Sequence, residues 1–410
     1  MVNPSDHRLP ADQAQGFAWQ ACGLEARRND TEDFSHELIP LQAAFDRPAL
    51  GAQSALIQIA NRDYTSEAMT MPTRFAVGKL PPHVLEALLA SCPIPRRSGV
   101  VLGPRYGEDA AVIDMGAKYL VAKTDPITFT AERIGWYAVH INANDVATLG
   151  ARPRWFLAAL LLPEWGATKS LVRSIFNDVL RACRELGVTL CGGHSEITAG
   201  LGRPIVVGQM LGEVEKSKLV RKESQQPGDL VLLTKGVAVE GTAILAREKR
   251  EVVERRLGKA FVRRAQRLFL RPGISVVRDA MLAIQHGEVR AMHDPTEGGL
   301  LSGLHELARA GGVGLRIWKA CIPVLNETQV MSRALGFDPL ALIASGALLV
   351  VSSRRSSHAL LRAFRRRRIN AALIGEVRPQ DEGIQILEEG HKGKLLRVPA
   401  RDEIARLLTG

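Results

Sequence analysis

The sequence GEDAAVIDMGAKYLVAKTD, at residues 107–125, decides the fold. It contains two short apolar runs, residues 110–113 and 119–122, and this pattern predicts two β-strands. Beyond it, apolar runs alternate with helical periods in two series, of which the second begins at Leu230 and ends near Leu396. Such alternation is typical of an α/β fold, or of α+β layers, and we predict this fold class.

The composition changes along the chain and divides it into four parts. Residues 1–70 hold ten acids and five bases without apolar periodicity, so we expect a poorly ordered N-terminal extension. An N-terminal domain is predicted over residues 71–214 and a C-terminal domain over residues 229–410. Between them, residues 215–228 are charged and end in Gln-Gln-Pro-Gly, which indicates a linker.

Length, composition and cysteine content exclude several classes of protein. The 410 residues are 46% hydrophobic and 24% charged, which is typical of a globular protein and not of a disordered chain or a fibre. The longest apolar run, residues 155–162, is far shorter than the ~20 residues that cross a bilayer. The five cysteines match neither a disulfide framework nor a zinc-ligand spacing, and the first residues show no secretory signal. We therefore predict a cytoplasmic protein.

The net charge of +11 makes nucleic acid a partner to consider. Positive charge is concentrated in residues 247–271, with ten Lys or Arg, and in residues 354–368, with seven Arg. Apolar residues at three-to-four spacing predict that both segments are helices. Neither segment interleaves aromatic residues for base stacking, so we prefer solvated helix faces. Nucleic-acid binding through these two helices stays a less favoured alternative.

Three aspartates stand beside predicted strands and turns, namely Asp109, Asp125 and Asp145. Carboxylates at strand ends can converge on one edge of a sheet and hold Mg²⁺, which combines few carboxylates with water and substrate phosphates. Each aspartate alone is more often a cap or a turn former than a metal ligand. Only the trio, with Asn144 beside it, points to a metal site, and both interpretations stay open.

A second candidate element follows the strand predicted at residues 188–191. Gly192 and Gly193 let a backbone approach a ligand closely, with their amides toward an anion, and His194 can add a ligand or a base. The alternative is a turn that ends the strand and holds a hydrogen-bonded histidine. Two adjacent glycines do not decide between these interpretations.

The third candidate element is HDPTEGGL, at residues 293–300. Asp294 suits the N-cap, Pro295 the first helical position and Glu297 the third, so this sequence predicts the start of a helix. A helix start with glycines is also an anion site, because of its free N–H groups and its dipole. Neither a Walker loop nor a dinucleotide fingerprint is present in the chain.

In their order and spacing these motifs resemble one superfamily, which unites aminoimidazole ribonucleotide (AIR) synthase, thiamine-monophosphate kinase, selenophosphate synthetase and the hydrogenase maturation factor HypE. The resemblance covers about residues 74–400 and points to the HypE-like, AIR-synthase-related branch. The motifs are GEDAA at 107–111, TD at 124–125, ND at 144–145, LGARP at 149–153, GG at 192–193, PGISVV at 272–277, the run at 293–300, DPL at 338–340 and ASG at 344–346.

The resemblance implies a two-domain, AIR-synthase-like (PurM-like) fold, in which strands of the N-terminal domain build a dimer barrel and a C-terminal α/β domain follows. It implies a homodimer that binds ATP in a cleft of the N-terminal domain near the dimer interface, with Mg²⁺ on Asp109, Asp125 and Asp145. The candidate catalytic residues are Asp109, Asp145 and His194. The candidate cofactor-binding residues are Asp109, Asp125, Asn144, Asp145, Gly192, Gly193, Asp294, Thr296, Gly298 and Gly299.

Family chemistry activates an oxygen by ATP-dependent phosphorylation, and the chain departs from single family members in ways that bear on its substrate. HypE ends in a cysteine that carries the group to be dehydrated, whereas this sequence has no cysteine after Cys321, so we expect no carrier chemistry on its tail. Gly193-His194 stands where HypE has Gly-Asp, and in this it is closer to selenophosphate synthetase. The reactive Cys and Lys pair of selenophosphate synthetase is nevertheless missing. We predict an enzyme that phosphorylates an oxygen of a small substrate, either a carboxamide or a phosphorylated metabolite. The alternative is a maturation or regulatory protein that binds ATP and acts on a protein partner.

Overall fold

Two β-sheets, each accompanied by helices, form the part of the chain that the structure describes. The structure is a computed structural model, and it describes residues 75, 77–95, 97–388 and 393–409. The extension predicted at residues 1–70 lies outside the described residues. Across the described ranges, no helix is both long enough and apolar enough to cross a membrane.

The first sheet has six strands in the order β1-β2-β3-β6-β4-β5. The strands are β1 (Val100–Leu102), β2 (Ala111–Asp114), β3 (Lys118–Ile127), β4 (Arg152–Pro163), β5 (Thr189–Thr198) and β6 (Ile205–Glu215). The helices of this half are α1 (Pro82–Ala90), α2 (Ile134–Thr148) and α3 (Lys169–Leu186). Every residue of α2 is buried, because this helix packs against β3, β6 and α3. The first half is therefore built around a central helix.

The second sheet has seven strands in the order β13-β12-β9-β11-β7-β10-β8. The strands are β7 (Leu230–Thr234), β8 (Val289–His293), β9 (Gly314–Trp318), β10 (Leu349–Ser352), β11 (Ala371–Arg378), β12 (Ile384–Leu387) and β13 (Lys394–Leu395). The helices are α4 (Val239–Glu248), α5 (Arg250–Leu257), α6 (Lys259–Gln266), α7 (Val277–His286), α8 (Gly299–Gly311), α9 (Asn326–Leu335), α10 (Arg354–Arg366) and α11 (Glu403–Thr409). Every residue of β7 and β10 is buried, which explains why both strands are continuous apolar runs. The predicted α/β fold class is confirmed.

Several predicted element ends are wrong, because strand pairing extends the strands. β3 pairs with β6 along its whole length, so Asp125 lies inside β3 and not in a turn after it. β5 continues to Thr198, because Gly192, Gly193 and His194 pair with residues of β4. These three residues are therefore part of a strand and not of a strand-ending turn. Asp145 lies inside α2 and not at the end of a strand.

The helix predicted to start at Asp294 starts at Gly299 instead. Gly298 and Gly299 have φ angles of 80° and 64°, in the left-handed region that glycine adopts readily. This left-handed pair delays the helix, and no side chain caps α8. Asp294 is thus not an N-cap but the residue that follows β8.

The segment expected as a linker is folded onto the body of the protein. Residues Lys216–Lys218 and Lys222–Ser224 form short 3-10 turns, and Lys222 and Gln225 are buried. The side-chain amide of Gln225 donates to the carbonyl oxygen of Leu307 at 3.0 Å. This packing places Lys222 against the site described next.

Candidate active site

Three buried aspartates from three separate elements meet at one point. Asp109 precedes β2, Asp145 lies on α2 and Asp294 follows β8. One carboxylate oxygen from each lies within 4.8 Å of the others. None of the three side chains is more than 7% exposed. Hard oxygen ligands at this spacing are what a divalent cation such as Mg²⁺ requires.

The electrostatics of Asp145 and Asp294 also fit a cation. Neither carboxylate oxygen of Asp294 has a hydrogen-bond partner among the described residues. Burial, with Asp145 and Asp109 nearby, raises the pKa of Asp294 well above its ordinary value. Burial also raises the pKa of Asp145, to about 7, although the Lys123 ammonium at 3.3 Å opposes the shift. A cation bound here would relieve the repulsion and displace the protons.

Asp109 has the opposite character, because cations and donors surround it. Its oxygens lie 2.7 Å from His293 Nδ1 and 2.9 Å from Lys222 Nζ, and the Thr148 hydroxyl donates to it at 2.8 Å. Burial opposes ionisation, but His293 and Lys222 outweigh it and hold the pKa of Asp109 well below its ordinary value. Asp109 is therefore a permanent anion at the centre of the cluster.

His293 links this cluster to a second acid. Its Nε2 lies 3.0 Å from Glu306 Oε2, and Glu306 in turn lies 3.1 Å from Lys79 Nζ. Burial and Lys222 lower the pKa of His293, yet Asp109 and Glu306 outweigh them and raise it above its ordinary value. An imidazolium that donates to Asp109 and Glu306 at once fixes the orientation of Asp109.

These groups line a cavity of about 540 Å³. Its charged lining includes the acids Asp109, Asp125, Asp145 and Asp294 and the lysines Lys79 and Lys123. Lys123 lies 3.3 Å from Asp145 and 3.7 Å from Asp125, and although burial lowers its pKa, these two acids raise it above its ordinary value. Acids that can hold a metal and lysines that stay charged can together neutralise a polyphosphate.

The predicted site residues divide into two groups. Asp109, Asp125, Asp145, Asp294, Thr296 and Gly298 line this cavity, and Gly299 follows directly at the start of α8. Asn144 does not line it, because its side chain is fully buried and bonds to the backbone of Ile274 and Val276. Gly192, Gly193 and His194 do not line it either, since they belong to β5, where the His194 side chain is 70% exposed.

Both glycine N–H groups of the turn before α8 are already bonded within the protein. The N–H of Gly298 donates to the Asp402 carboxylate, and the N–H of Gly299 donates to the Thr296 carbonyl oxygen at 3.0 Å. Acids at Glu297 and Asp402 flank the turn and repel an anion. The two glycine amides are therefore occupied within the protein and are not directed at an anion in the cavity.

Sequence reasoning missed five residues of the cavity and its support, namely Lys79, Lys123, Lys222, His293 and Glu306. Two of them had a local signal: His293 precedes Asp294 directly, and Lys123 lies two positions before Asp125, on the same face of a strand. Lys222 stands in a charged segment and had none. The grouping of Asp294 with Asp109 and Asp145 as a ligand set was also missed.

The comparisons with known proteins agree with this fold. Residues 107–214 match the N-terminal domain of AIR synthase related proteins, and residues 226–387 match the C-terminal domain. The carbamoyl dehydratase HypE of Cupriavidus necator is 32% identical over 286 residues, 67% of this chain and 77% of that protein. HypE of Azotobacter vinelandii is 31% identical over 278 residues, 66% of this chain and 78% of that protein.

Solved structures show the same fold at lower identity. A hydrogenase maturation protein HypE in complex with ATP superposes with a TM-score of 0.61 at 23% identity, over 80% of this chain and 98% of that chain. Thiamine monophosphate kinase from Aquifex aeolicus superposes with a TM-score of 0.55 at 22% identity, over 69% of this chain and 92% of that chain. The two-domain fold implied by the sequence motifs is confirmed, and this chain belongs to the AIR synthase related family, in its HypE-like branch.

Proposed function

We propose that this protein is an ATP- and Mg²⁺-dependent enzyme that activates an oxygen of a small substrate by phosphorylation. The observation that supports it best is the cluster of Asp109, Asp145 and Asp294, in which buried oxygens lack partners beside charged lysines. Phosphoryl transfer depends on positioning and charge neutralisation more than on a covalent catalyst. The cavity offers these two contributions.

The residues present fit Mg²⁺. Asp109, Asp145 and Asp294 would hold it, with Asp109 supplying a permanent charge and the other two losing protons as the metal binds. When bound, the metal supplies neutralisation of the phosphate charge. Asp125, which the sequence suggested as a third ligand, lies 3.7 Å from Lys123 and orients that ammonium instead.

The chain's own lysines would bind the phosphates. Lys123 is the inner one and reaches both Asp145 and Asp125. Lys79 is the outer one; its side chain is 44% exposed and is held by Glu306. Because both pKa values lie above the ordinary value, both ammonium groups stay charged at neutral pH.

The relatives bear on the substrate in two ways. A carbamoyl dehydratase and a thiamine monophosphate kinase both occur among similar proteins, and a HypE structure holds ATP. An oxygen atom as phosphoryl acceptor is consistent with both of these enzymes and with the bound ATP. The small substrate that carries this oxygen would be a carboxamide or a phosphorylated metabolite. A HypE–HypF complex also occurs among the solved structures, and it favours the alternative of an ATP-binding maturation protein that acts on a protein partner.

We propose a homodimer that forms along β5. This strand is an edge of its sheet, and Ile197 on it is 65% exposed. Phe176 and Leu180 on α3 are also exposed, at 40% and 43%. An edge strand with apolar neighbours is suited to pairing with a second copy, which would close a barrel between protomers.

The domain limits and the location of the protein are further parts of the proposal. We retain an ATP-binding domain at 71–214, a connecting segment at 215–228 and a second domain at 229–410. A cytoplasmic location is supported by the described cysteines Cys92, Cys183, Cys191 and Cys321, which are all free thiols.

Isothermal titration with ATP, with and without magnesium, tests the ATP and metal assignment. The Asp109→Asn variant should bind MgATP roughly tenfold more weakly or worse, since each ~1.4 kcal/mol of lost interaction is tenfold in affinity. Asp114→Asn is the matched control, because Asp114 lies on β2 but pairs with Lys216 at the surface. Equal MgATP affinity of the Asp109→Asn variant and the parent protein would refute the metal role.

Two additions keep this test interpretable. Asp109→Asn removes the counter-charge of His293 and Lys222, so a melting curve must show that the variant is folded. Asp294→Asn breaks no ion pair among the described residues and serves as the second variant.

A single-turnover assay with excess enzyme then separates the two functions. ADP formation supports the enzyme, and tight MgATP binding without ADP formation supports the protein-directed alternative.

A further inference from the structure

A second cavity, of about 590 Å³, adjoins the first. The two cavities share Lys79, Asp125, Thr296 and Glu297 in their walls. The remaining wall is mainly apolar and includes Ile127, Phe129, Ile141, Ile244, Ile343 and Leu408. A molecule in the second cavity would thus lie against the edge of the carboxylate and lysine site.

Glu240 is the unusual group of this second cavity. It lies in the first turn of α4, is only 3% exposed and lines the cavity. Its Oε2 atom has no hydrogen-bond partner, and no ion pair to Glu240 is formed within the described part of the chain. A buried carboxylate oxygen without a partner costs stability, so its occurrence on a residue that lines a cavity points to a ligand there.

The charged and titratable groups around Glu240 define which ligand fits. They are Asp402 before α11, Glu297 before α8, Tyr137 on α2, and, on the cavity wall, Arg203, Lys79 and Asp125. Burial and, after it, the acids Asp402 and Glu297 raise the pKa of Glu240 to about 7, while hydrogen bonding from Ser345 opposes the shift. Beside Glu240 itself, Asp402 and Glu297 would repel a phosphate, whereas an uncharged group with an N–H or O–H donor would be bound there.

We propose that the second cavity binds the phosphoryl acceptor, and that Glu240 accepts a hydrogen bond and then the proton from the acceptor's N–H or O–H group. This inference rests on the proposed function. As the acceptor oxygen bonds to the γ-phosphorus, the bond from that phosphorus to the bridging oxygen breaks and its electron pair leaves with ADP. The proton that the acceptor loses passes to the Glu240 carboxylate, so that charge and atoms balance.

Binding of a model amide tests the cavity assignment. Benzamide carries two N–H donors and an apolar ring, whereas N,N-dimethylbenzamide lacks the donors. With a non-hydrolysable Mg-ATP analogue present, the parent should bind benzamide roughly tenfold more tightly than the dimethyl compound, and Glu240→Leu should abolish that preference. Failure of benzamide to bind, or an unchanged preference in the Glu240→Leu variant, overturns the proposal.

A matched control and a nucleotide titration show whether the loss of preference is specific to the Glu240 carboxyl group. Asp178→Asn replaces another buried acid, which pairs with Arg133 at 2.8 Å outside both cavities, and it should keep the preference for benzamide. Affinity for the ATP analogue should stay within about twofold in Glu240→Leu; a larger loss would place the nucleotide itself in the second cavity and overturn the acceptor assignment.

Kinetics and stability distinguish proton transfer from a structural role. Glu240→Gln keeps an acceptor oxygen but cannot take a proton, so ADP formation should fall roughly tenfold or more while benzamide binding persists. The melting temperature of Glu240→Gln should equal or exceed that of the parent, because a buried unpaired acid has been removed. A lower melting temperature with unchanged ADP formation makes Glu240 a structural residue. Absence of ADP formation in the parent refutes the proposed function, whereas the benzamide result still decides the cavity.

Discussion

The Asp294→Asn variant offers a direct test of the carboxylate cluster, because this aspartate destabilises the metal-free protein. Both of its oxygens are buried without hydrogen-bond partners, and Asp109 and Asp145 repel it. Asparagine keeps the size, removes the charge and presents N–H donors toward oxygens that lie within 4.8 Å. A buried unsatisfied polar group costs about 1–3 kcal/mol, so the free energy of unfolding should rise by roughly that amount at neutral pH without metal.

Magnesium should reverse the order of stability and make the parent protein more stable than the Asp294→Asn variant. A ligand that binds only the folded state at a hundred times its Kd adds ~2.7 kcal/mol of stability, and the parent should gain on this scale. The variant has lost one of three ligands and should gain little. Urea unfolding of the parent and of Asp294→Asn, each with EDTA and with millimolar magnesium, gives the four free energies of unfolding to compare.

Asp279→Asn is the matched control for this experiment. Asp279 is also buried, but it pairs with Lys235 at 3.2 Å and accepts from Thr234 at 2.9 Å. Removing its charge leaves a buried ammonium without its partner, so stability should fall by about 3–5 kcal/mol while the magnesium increment persists. The reasoning is refuted if Asp294→Asn is less stable than the parent in EDTA, or if magnesium stabilises both equally.

Three shorter tests address the support of the site and the dimer. Burial opposes ionisation of Glu306, but neighbouring cations outweigh it and lower the pKa of this group to about 2. The charge of Glu306 therefore stabilises the fold above about pH 4.5. This stability, on the order of 3 kcal/mol, is lost as the pH falls toward 2. Urea unfolding of Glu306→Gln across this range should lack that loss, and an equal pH dependence in both proteins would argue against the ion pairs. Gly299→Ala places a Cβ 2.5 and 2.7 Å from two backbone carbonyl oxygens. Its control is Gly312→Ala, where the residue has the same φ of 64° but open space around the Cβ and the expected cost is roughly 1 kcal/mol. Gly299→Ala should lower the free energy of unfolding by clearly more than this control, and equal costs would contradict the prediction. Ile197→Lys should shift sedimentation from dimer to monomer, and a monomeric parent would refute the proposed interface.

Local patterns predicted the elements of this fold better than their ends. Apolar runs at residues 110–113 and 119–122 became strands because alternation and burial act over a few residues. The end of β5 could not be predicted, since the pairing of Gly192–His194 with β4 depends on residues more than thirty positions away. The cap signal at Asp294 failed for a similar reason: the left-handed pair at Gly298 and Gly299 brings the chain against Leu340 and Leu342, which no local rule includes.

The site shows the same division between local and long-range information. Each aspartate stood in a recognisable motif, so the residue types were available from the sequence. Their grouping was not, because Asp294 is nearly two hundred positions from Asp109 and reaches it only through the packing of two sheets. Lys222 was invisible for the same reason: a lysine in a charged segment gives no sign that folding will bury it beside Asp109.

The pair Asn144-Asp145 shows how two adjacent residues divide the work of building the site. Successive helix residues point ~100° apart, so the two side chains of α2 leave in different directions. Asp145 faces the cavity, while Asn144 donates to the Ile274 carbonyl oxygen at 2.8 Å and accepts from the Val276 N–H at 2.8 Å.

This clamp ties α2 to the second half of the chain at the residue next to Asp145, a proposed metal ligand. Because Asp145 comes from the first half and Asp294 from the second, their separation depends on how firmly the halves are joined. A hydrogen-bond network one residue from Asp145 holds that separation without using any oxygen of the three aspartates. Under the proposed function, Asn144 would therefore position Asp145 and would not contact ATP, because its side chain is already bonded to the second half of the chain.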